Sequence, residues 1–180
     1  MSPDFQIITQ RLCLRLIDHS EEEIFATEVA HSPSLHQWID WCTPHFSVED
    51  SRQFLLATRL NWAKATSFGF GIFRKSDQAL IGMVAINEFY HTFNMASMGY
   101  WVLDKHQRHG YAKEALNALT EFCFAKLMLT RLEIVCDPDN MPSQALIEQC
   151  GGIKEGVARN RFLFNGKPKT GVVYSLIPER

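Results

Sequence analysis

Between Ile7 and Leu16, Thr9, Arg11, Cys13 and Arg15 are set against Ile8, Leu12, Leu14 and Leu16, a period-two pattern that predicts a first strand. Helices are predicted at about 20–30 and 33–40. Ser47 with Asp50 three residues on reads as a capping box opening a helix to about Lys64. Strands follow at 68–74, 79–87 and 95–104, the first two joined by the polar turn Lys75-Ser76-Asp77. From Tyr111 the period lengthens. Ala112, Ala115, Leu116, Leu119, Phe122 and Cys123 fall on one face of a long helix. Arg131–Asp137 reads as a buried strand, and Asn140–Gln149 as a short helix ended by Gly151. Two last strands, 153–164 and 169–177, flank the hairpin signal Asn165-Gly166. A mixed sheet with helices on both faces would bury all these patterns, so the expected class is α/β (α+β). With no repeat or linker along residues 1–180, a single domain is expected.

Composition narrows the function classes. The 180 residues are 46% hydrophobic and 21% charged, ordinary for a globular chain. A net charge of -2 gives no bulk attraction to nucleic acid or an anionic membrane, so neither partner is expected. Met1–Gln10 lacks the pattern of a leader, and no apolar run approaches a membrane span. The five cysteines are scattered, with no Cys-x-x-Cys pair and no zinc spacing. Reduced thiols in a cytoplasmic protein, with no metal, are the expectation. Arg159, Arg161, Lys167 and Lys169 make a basic hairpin that a solvated strand face explains.

The chemistry concentrates between Gly99 and Ala115. An apolar strand runs into a short polar loop, and the loop opens the long helix. Gly110 stands where backbone must approach something closely or adopt positive φ. Free N–H groups at such a loop and helix start, aided by the helix dipole, form an anion site. Gly-Lys-Ser/Thr and Gly-x-Gly-x-x-Gly are both missing, which argues against a nucleoside-triphosphate loop and a dinucleotide fingerprint.

Gln107-Arg108-His109-Gly110-Tyr111-Ala112 resembles the pyrophosphate-binding signature of the GCN5-related N-acetyltransferase (GNAT) superfamily, Gln/Arg-x-x-Gly-x-Gly/Ala. Thr9 to Arg15, Trp38-Ile39-Asp40-Trp41, Ser47 to Asp50, Ala79 to Gly82, Gly99-Tyr100-Trp101, and Glu155-Gly156 through Asn165-Gly166 are similar to the Rim-type branch, which acetylates the N-termini of ribosomal proteins. The resemblance implies a mostly antiparallel sheet of six to seven strands, about four helices and splayed central parallel strands. Acetyl-coenzyme A is then the co-substrate. Its pantetheine lies along the strand holding Trp101, Val102 and Leu103, with Val102 and Leu103 offering backbone groups. The amides of Gln107 to Ala112 hold the pyrophosphate, and Arg108, His109 and Lys113 are candidates to add charge near it. Asn140 is implied as a further coenzyme contact and also suits a helix N-cap. Ser143 matches the serine that stabilises or protonates the departing thiolate. Ile147 stands where many relatives place a tyrosine, which leaves Ser143 as the only expected hydroxyl. A homodimer is an expectation of the same origin.

Two departures bear on the acceptor side. Ser97 occupies a position where Rim-type enzymes often carry Glu, and Gly152 one where most have an aromatic. Glu88 and His91 become the candidate general bases. Trp41 and Phe46, from an aromatic group that includes Trp38, are candidate walls of the acceptor groove together with Ser97. The acceptor amine must be neutral to attack. An α-amine with pKa about 8 is roughly one-tenth neutral at pH 7, whereas a lysine near 10.4 is under about one part in a thousand. That difference is about 3 kcal/mol of help from a base. A site lacking the usual carboxylate therefore suits a protein N-terminus. A small-molecule amine (polyamine, amino acid or antibiotic) and a coenzyme-binding module with little turnover remain the alternatives.

Overall fold

The computed structural model describes residues 1–178. Its strands are β1 (Ile7–Ile8), β2 (Leu12–Arg15), β3 (Phe68–Arg74), β4 (Leu80–Tyr90), β5 (Met95–Val102), β6 (Arg131–Cys136), β7 (Ile153–Phe164) and β8 (Lys167–Leu176). The helices are α1 (Glu22–Ala30), α2 (Pro33–Trp38), α3 (Val48–Lys64), α4 (Tyr111–Ala125) and α5 (Met141–Gln149). The strands form one sheet in the order β1-β2-β3-β4-β5-β6-β8-β7. Neighbours run antiparallel except β5 and β6.

Eight strands stand where six to seven were expected, and the extra one comes from the N-terminus. The predicted first strand is folded back on itself, pairing Ile7 with Leu14 and Ile8 with Cys13. A turn at Thr9 causes this. Its hydroxyl accepts from the Leu12 amide, and its own amide donates to the Leu12 carbonyl. The later expectations hold closely. Ser47 and Asp50 form a reciprocal capping box on α3, and Asn165 and Gly166 both take positive φ at the β7–β8 turn.

Two cores result. On one face α4 lays Ala115, Leu116, Leu119 and Cys123 against Met98, Val102 and Ile134, and α5 adds Ile147. On the other, Phe25, Val29, Leu35 and Leu55 from α1–α3 pack on Phe73, Met83 and Leu103. Each such Leu, Ile or Phe contributes about 1.5–3 kcal/mol on burial. Ile147 also accounts for Gly152. A Cβ there would sit 2.4 Å from the Ile147 Cγ2 and 2.9 Å from its carbonyl oxygen, so no aromatic fits.

The feature that positions the site is the parting of β5 and β6. Their pairing runs from Met95–Arg131 to Met98–Ile134 and stops, although β5 continues to Val102 and β6 to Cys136. β5 stays on β4 as far as the Gly82–Val102 pair, so its free edge faces a gap.

Candidate active site

The loop between β5 and α4 holds a run of unpartnered amides. Leu103, His106 and Gln107 use their N–H groups on Ile81, Leu103 and Asp104 carbonyls. From Arg108 to Lys113, no amide has a hydrogen-bond partner among the described residues. Arg108 has φ 62° and Gly110 φ 77°, so the chain alternates in hand and turns successive N–H groups to one side, a concave anion nest. Gly110 is the N-cap of α4 without a side-chain cap, which leaves the first-turn donors and the helix dipole open. Arg108, His109 and Lys113 are exposed around this nest. Gln107 differs from the expectation, because its amide already donates to the Asp104 carbonyl. Its side chain turns back, donating to the Val102 carbonyl (3.1 Å) and the Ser34 hydroxyl (2.8 Å), and so braces the loop against α2.

Strand polarity decides which backbone groups enter the gap. The Leu103 amide donates to Ile81 of the β4 side, and alternation then directs Trp101 to β4 as well. Tyr100 and Val102 therefore point their backbone groups into the gap. Of the expected pair Val102 and Leu103, only Val102 has its N–H there. The Trp101 side chain leaves on the opposite face and packs on Phe25 and Trp41.

Asn140 caps α5 by accepting from the Ser143 amide at 3.2 Å, which fixes the first turn facing the gap. The Ser143 hydroxyl lies 2.9 Å from the Tyr100 hydroxyl, and the latter also reaches the Ser143 carbonyl at 3.1 Å. Ser143 is thus not the only hydroxyl present, because β5 delivers a second from a direction the α5 sequence does not show. Burial pushes the Tyr100 phenol well above its ordinary pKa and outweighs the Ser143 hydrogen bond, so it remains a proton donor. The Cys136 thiol beside this pair is pushed up to about 11, mainly by burial, with the Ser143 hydroxyl pulling the other way. A thiol so protonated at neutral pH is a poor nucleophile.

On the face bearing Trp101, a polar row crosses three strands. Ser97 pairs with Glu88 on β4 and with Glu133 on β6, so the residues flanking the serine are both carboxylates on one face. Glu88 is exposed and accepts from the Tyr90 hydroxyl at 2.8 Å. Glu133 is paired with Arg131 and with Arg161, which β7 supplies from the register slip between Ala158 and Phe162. Farther along, Trp41 stacks on Phe54 with centroids 4.5 Å apart and meets Phe46 and Trp101. Trp41, Thr43, Phe46, Asp50, Gln53 and Phe54 line a cleft of about 350 Å³. Glu133 and Tyr100 were missed from sequence. Glu133 becomes visible only once the β5–β6 register is known, whereas Tyr100 sits in the quoted Gly99-Tyr100-Trp101 motif. Among the described residues no His/Cys/Asp/Glu group could hold a metal, and no helix is long and apolar enough to cross a membrane.

Known proteins share this fold. A solved structure from Vibrio cholerae, proposed to be a ribosomal-protein-serine acetyltransferase, is 61% identical, covers 99% of this chain and 100% of its own, and superposes with a TM-score of 0.93. The ribosomal-protein-serine acetyltransferase of Escherichia coli is 29% identical over 133 residues, 73% of this chain and 72% of its own. A ribosomal L7/L12 α-N-protein acetyltransferase solved with coenzyme A shares the fold, with a TM-score of 0.85 at 24% identity over 96% of this chain and 98% of its own. The profile of the acetyltransferase (GNAT) domain matches residues 11–153. With that match over most of its length, a parted β5–β6 pair and a loop of open amides, the chain belongs to the GNAT family of acetyltransferases.

Proposed function

We propose that the protein transfers the acetyl group of acetyl-coenzyme A to the N-terminal α-amine of a protein, a ribosomal protein being the favoured acceptor. One observation carries this: the open amides from Arg108 to Lys113 lie in the loop that follows the free edge of β5, which suits a diphosphate in the loop and an extended thioester arm along the strand. Residues from Val102 to Ser143 suit the coenzyme. The nest takes the diphosphate, the Val102 N–H meets the thioester carbonyl, and Ser143 faces the sulfur.

The roles follow from donor direction. A fixed N–H at Val102 stabilises the negative charge that develops on the carbonyl oxygen during attack. The Ser143 hydroxyl, held 2.9 Å from the Tyr100 hydroxyl, is the group that offers a proton to the leaving sulfur. With Cys136 protonated, direct attack by the amine within a ternary complex is favoured over an acyl-enzyme. Glu88 is the carboxylate placed to take the amine's proton, because Glu133 is held between two arginines. Trp41 and Phe46 supply the apolar wall for the residues behind the amine.

The test is a mass-spectrometric panel with acetyl-coenzyme A. Peptides beginning with Ser or Ala are set against polyamines, amino acids and an aminoglycoside. Acetylation of the peptide α-amines above the small amines is expected. Preference for a small amine would replace the acceptor assigned here, and no transfer to any amine would leave a coenzyme-binding module.

A further inference from the structure

The β1–β2 turn closes onto the start of α4, far away in sequence. Glu114, in the first turn of α4, accepts the Thr9 hydroxyl at 2.6 Å and the Arg11 amide at 2.8 Å on one carboxylate oxygen. The other oxygen accepts the Arg11 Nε at 2.7 Å. The same guanidinium donates through Nη1 to the His109 carbonyl at 2.9 Å and lies 4.7 Å from the Tyr111 ring centroid. A Cβ on Gly110 would sit 3.4 Å from its Nη2. Arg11 therefore touches the residues just before, at and just after the hand change in the loop.

The chemistry of this contact is specific. A carboxylate in a first helical turn suits the dipole, but here it stands beside amides that face an anion. A lone Glu114 would oppose a diphosphate. The forked guanidinium cancels that charge and also holds the His109 carbonyl away from the side on which the amides open.

We propose that Arg11 is a positioning residue of the coenzyme site: by neutralising Glu114 and anchoring the His109 carbonyl, it keeps the Arg108–Lys113 amides open to a diphosphate. This rests on the loop being the diphosphate site, as proposed above. The groups facing Arg11 are Glu114, Thr9, His109 and Tyr111, and no other carboxylate bonds it among the described residues.

The test measures two quantities for wild type, Arg11→Ala, Arg11→Lys, Glu114→Gln and Arg11→Ala/Glu114→Gln. They are the calorimetric affinity for coenzyme A and the kcat/KM preference for acetyl-coenzyme A over S-acetylpantetheine, which lacks the diphosphate. Loss of one charge-assisted contact is expected to weaken coenzyme A about tenfold in Arg11→Ala and to lower the preference in step. Glu114→Gln in the same chain restores part of both, because the opposing charge is gone and the amide oxygen still accepts from Thr9, while the anchor on the His109 carbonyl stays lost. Arg11→Lys keeps the charge but loses the fork on the His109 carbonyl, so its affinity falls between wild type and Arg11→Ala; it carries the test if Arg11→Ala fails to fold. Wild-type affinity in Arg11→Ala, a double variant no better than Arg11→Ala, or Arg11→Lys as weak as Arg11→Ala each overturns the proposal. Failure of the wild type itself to bind coenzyme A is a different result, and removes the diphosphate site rather than the role of Arg11.

Discussion

The two halves of the site are made of different material. The half proposed for the coenzyme is backbone: amides in one short stretch, Arg108–Lys113, and one strand edge, both set by where the chain turns. The half proposed for the acceptor is side chains, with Glu88, Ser97, Glu133 and Arg161 from β4–β7 and aromatics from α1–α3 and their connections. A site of main-chain donors tolerates change in nearly every side chain around it. A site of side chains changes its preference with each replacement. The family's shared chemistry therefore belongs to the first half, and what distinguishes one acceptor from another belongs to the second.

Substitutions can break that contrast. The largest effect is expected at the hinge between the halves. Ser143→Ala should lower kcat about a hundredfold, the scale of a lost acid, while coenzyme affinity stays within about twofold. Tyr100→Phe removes one hydrogen bond from the same pair and should lower kcat by roughly threefold to tenfold. Steady-state kinetics with a peptide acceptor reads both; a Tyr100→Phe loss as large as that of Ser143→Ala would make the tyrosine the donor. Glu88→Gln should cut kcat/KM for the acceptor several-fold, on the order of 1 kcal/mol, with no change in coenzyme affinity. If peptide turnover is untouched, the base lies elsewhere in the row.

The smallest effect is on stability. Burial raises the Glu114 pKa, but hydrogen bonds from the Thr9 hydroxyl, the Arg11 amide and the Arg11 guanidinium outweigh it, and the net shift is downward. A lowered folded pKa contributes stability that is present above the unfolded carboxylate value of about 4.3 and is lost as pH falls through the folded value. The gap in melting temperature between wild type and Glu114→Gln should be widest near neutrality and close in acid. A gap independent of pH would show that the ionised carboxylate is not what holds the clasp.

The legibility of the sequence follows the same division. Element types came through because α4 carries its period over Ala112–Cys123 and the strands alternate or run apolar between clear turns. The loop of open amides was legible because its cause is local: a glycine, a strand before and a helix after. What stayed hidden depends on register and long-range contact. The fold-back at Thr9 is clasped by Glu114, more than a hundred residues away. Tyr100 meets Ser143 only when α5 docks on the gap, and the direction of the Leu103 amide follows from its pairing with Ile81. Glu133 gains meaning beside Ser97 through the parallel β5–β6 register.

The central claim is that main-chain donors around Gly110 hold a diphosphate, and calorimetry of coenzyme A against wild type and Gly110→Val tests it most directly. At φ 77° a β-branched residue is strained by about 1–2 kcal/mol, so the change acts on loop conformation. Heat of binding for wild type and about tenfold weaker affinity for Gly110→Val are predicted. Equal affinity in the two proteins, or no heat in either, would contradict it.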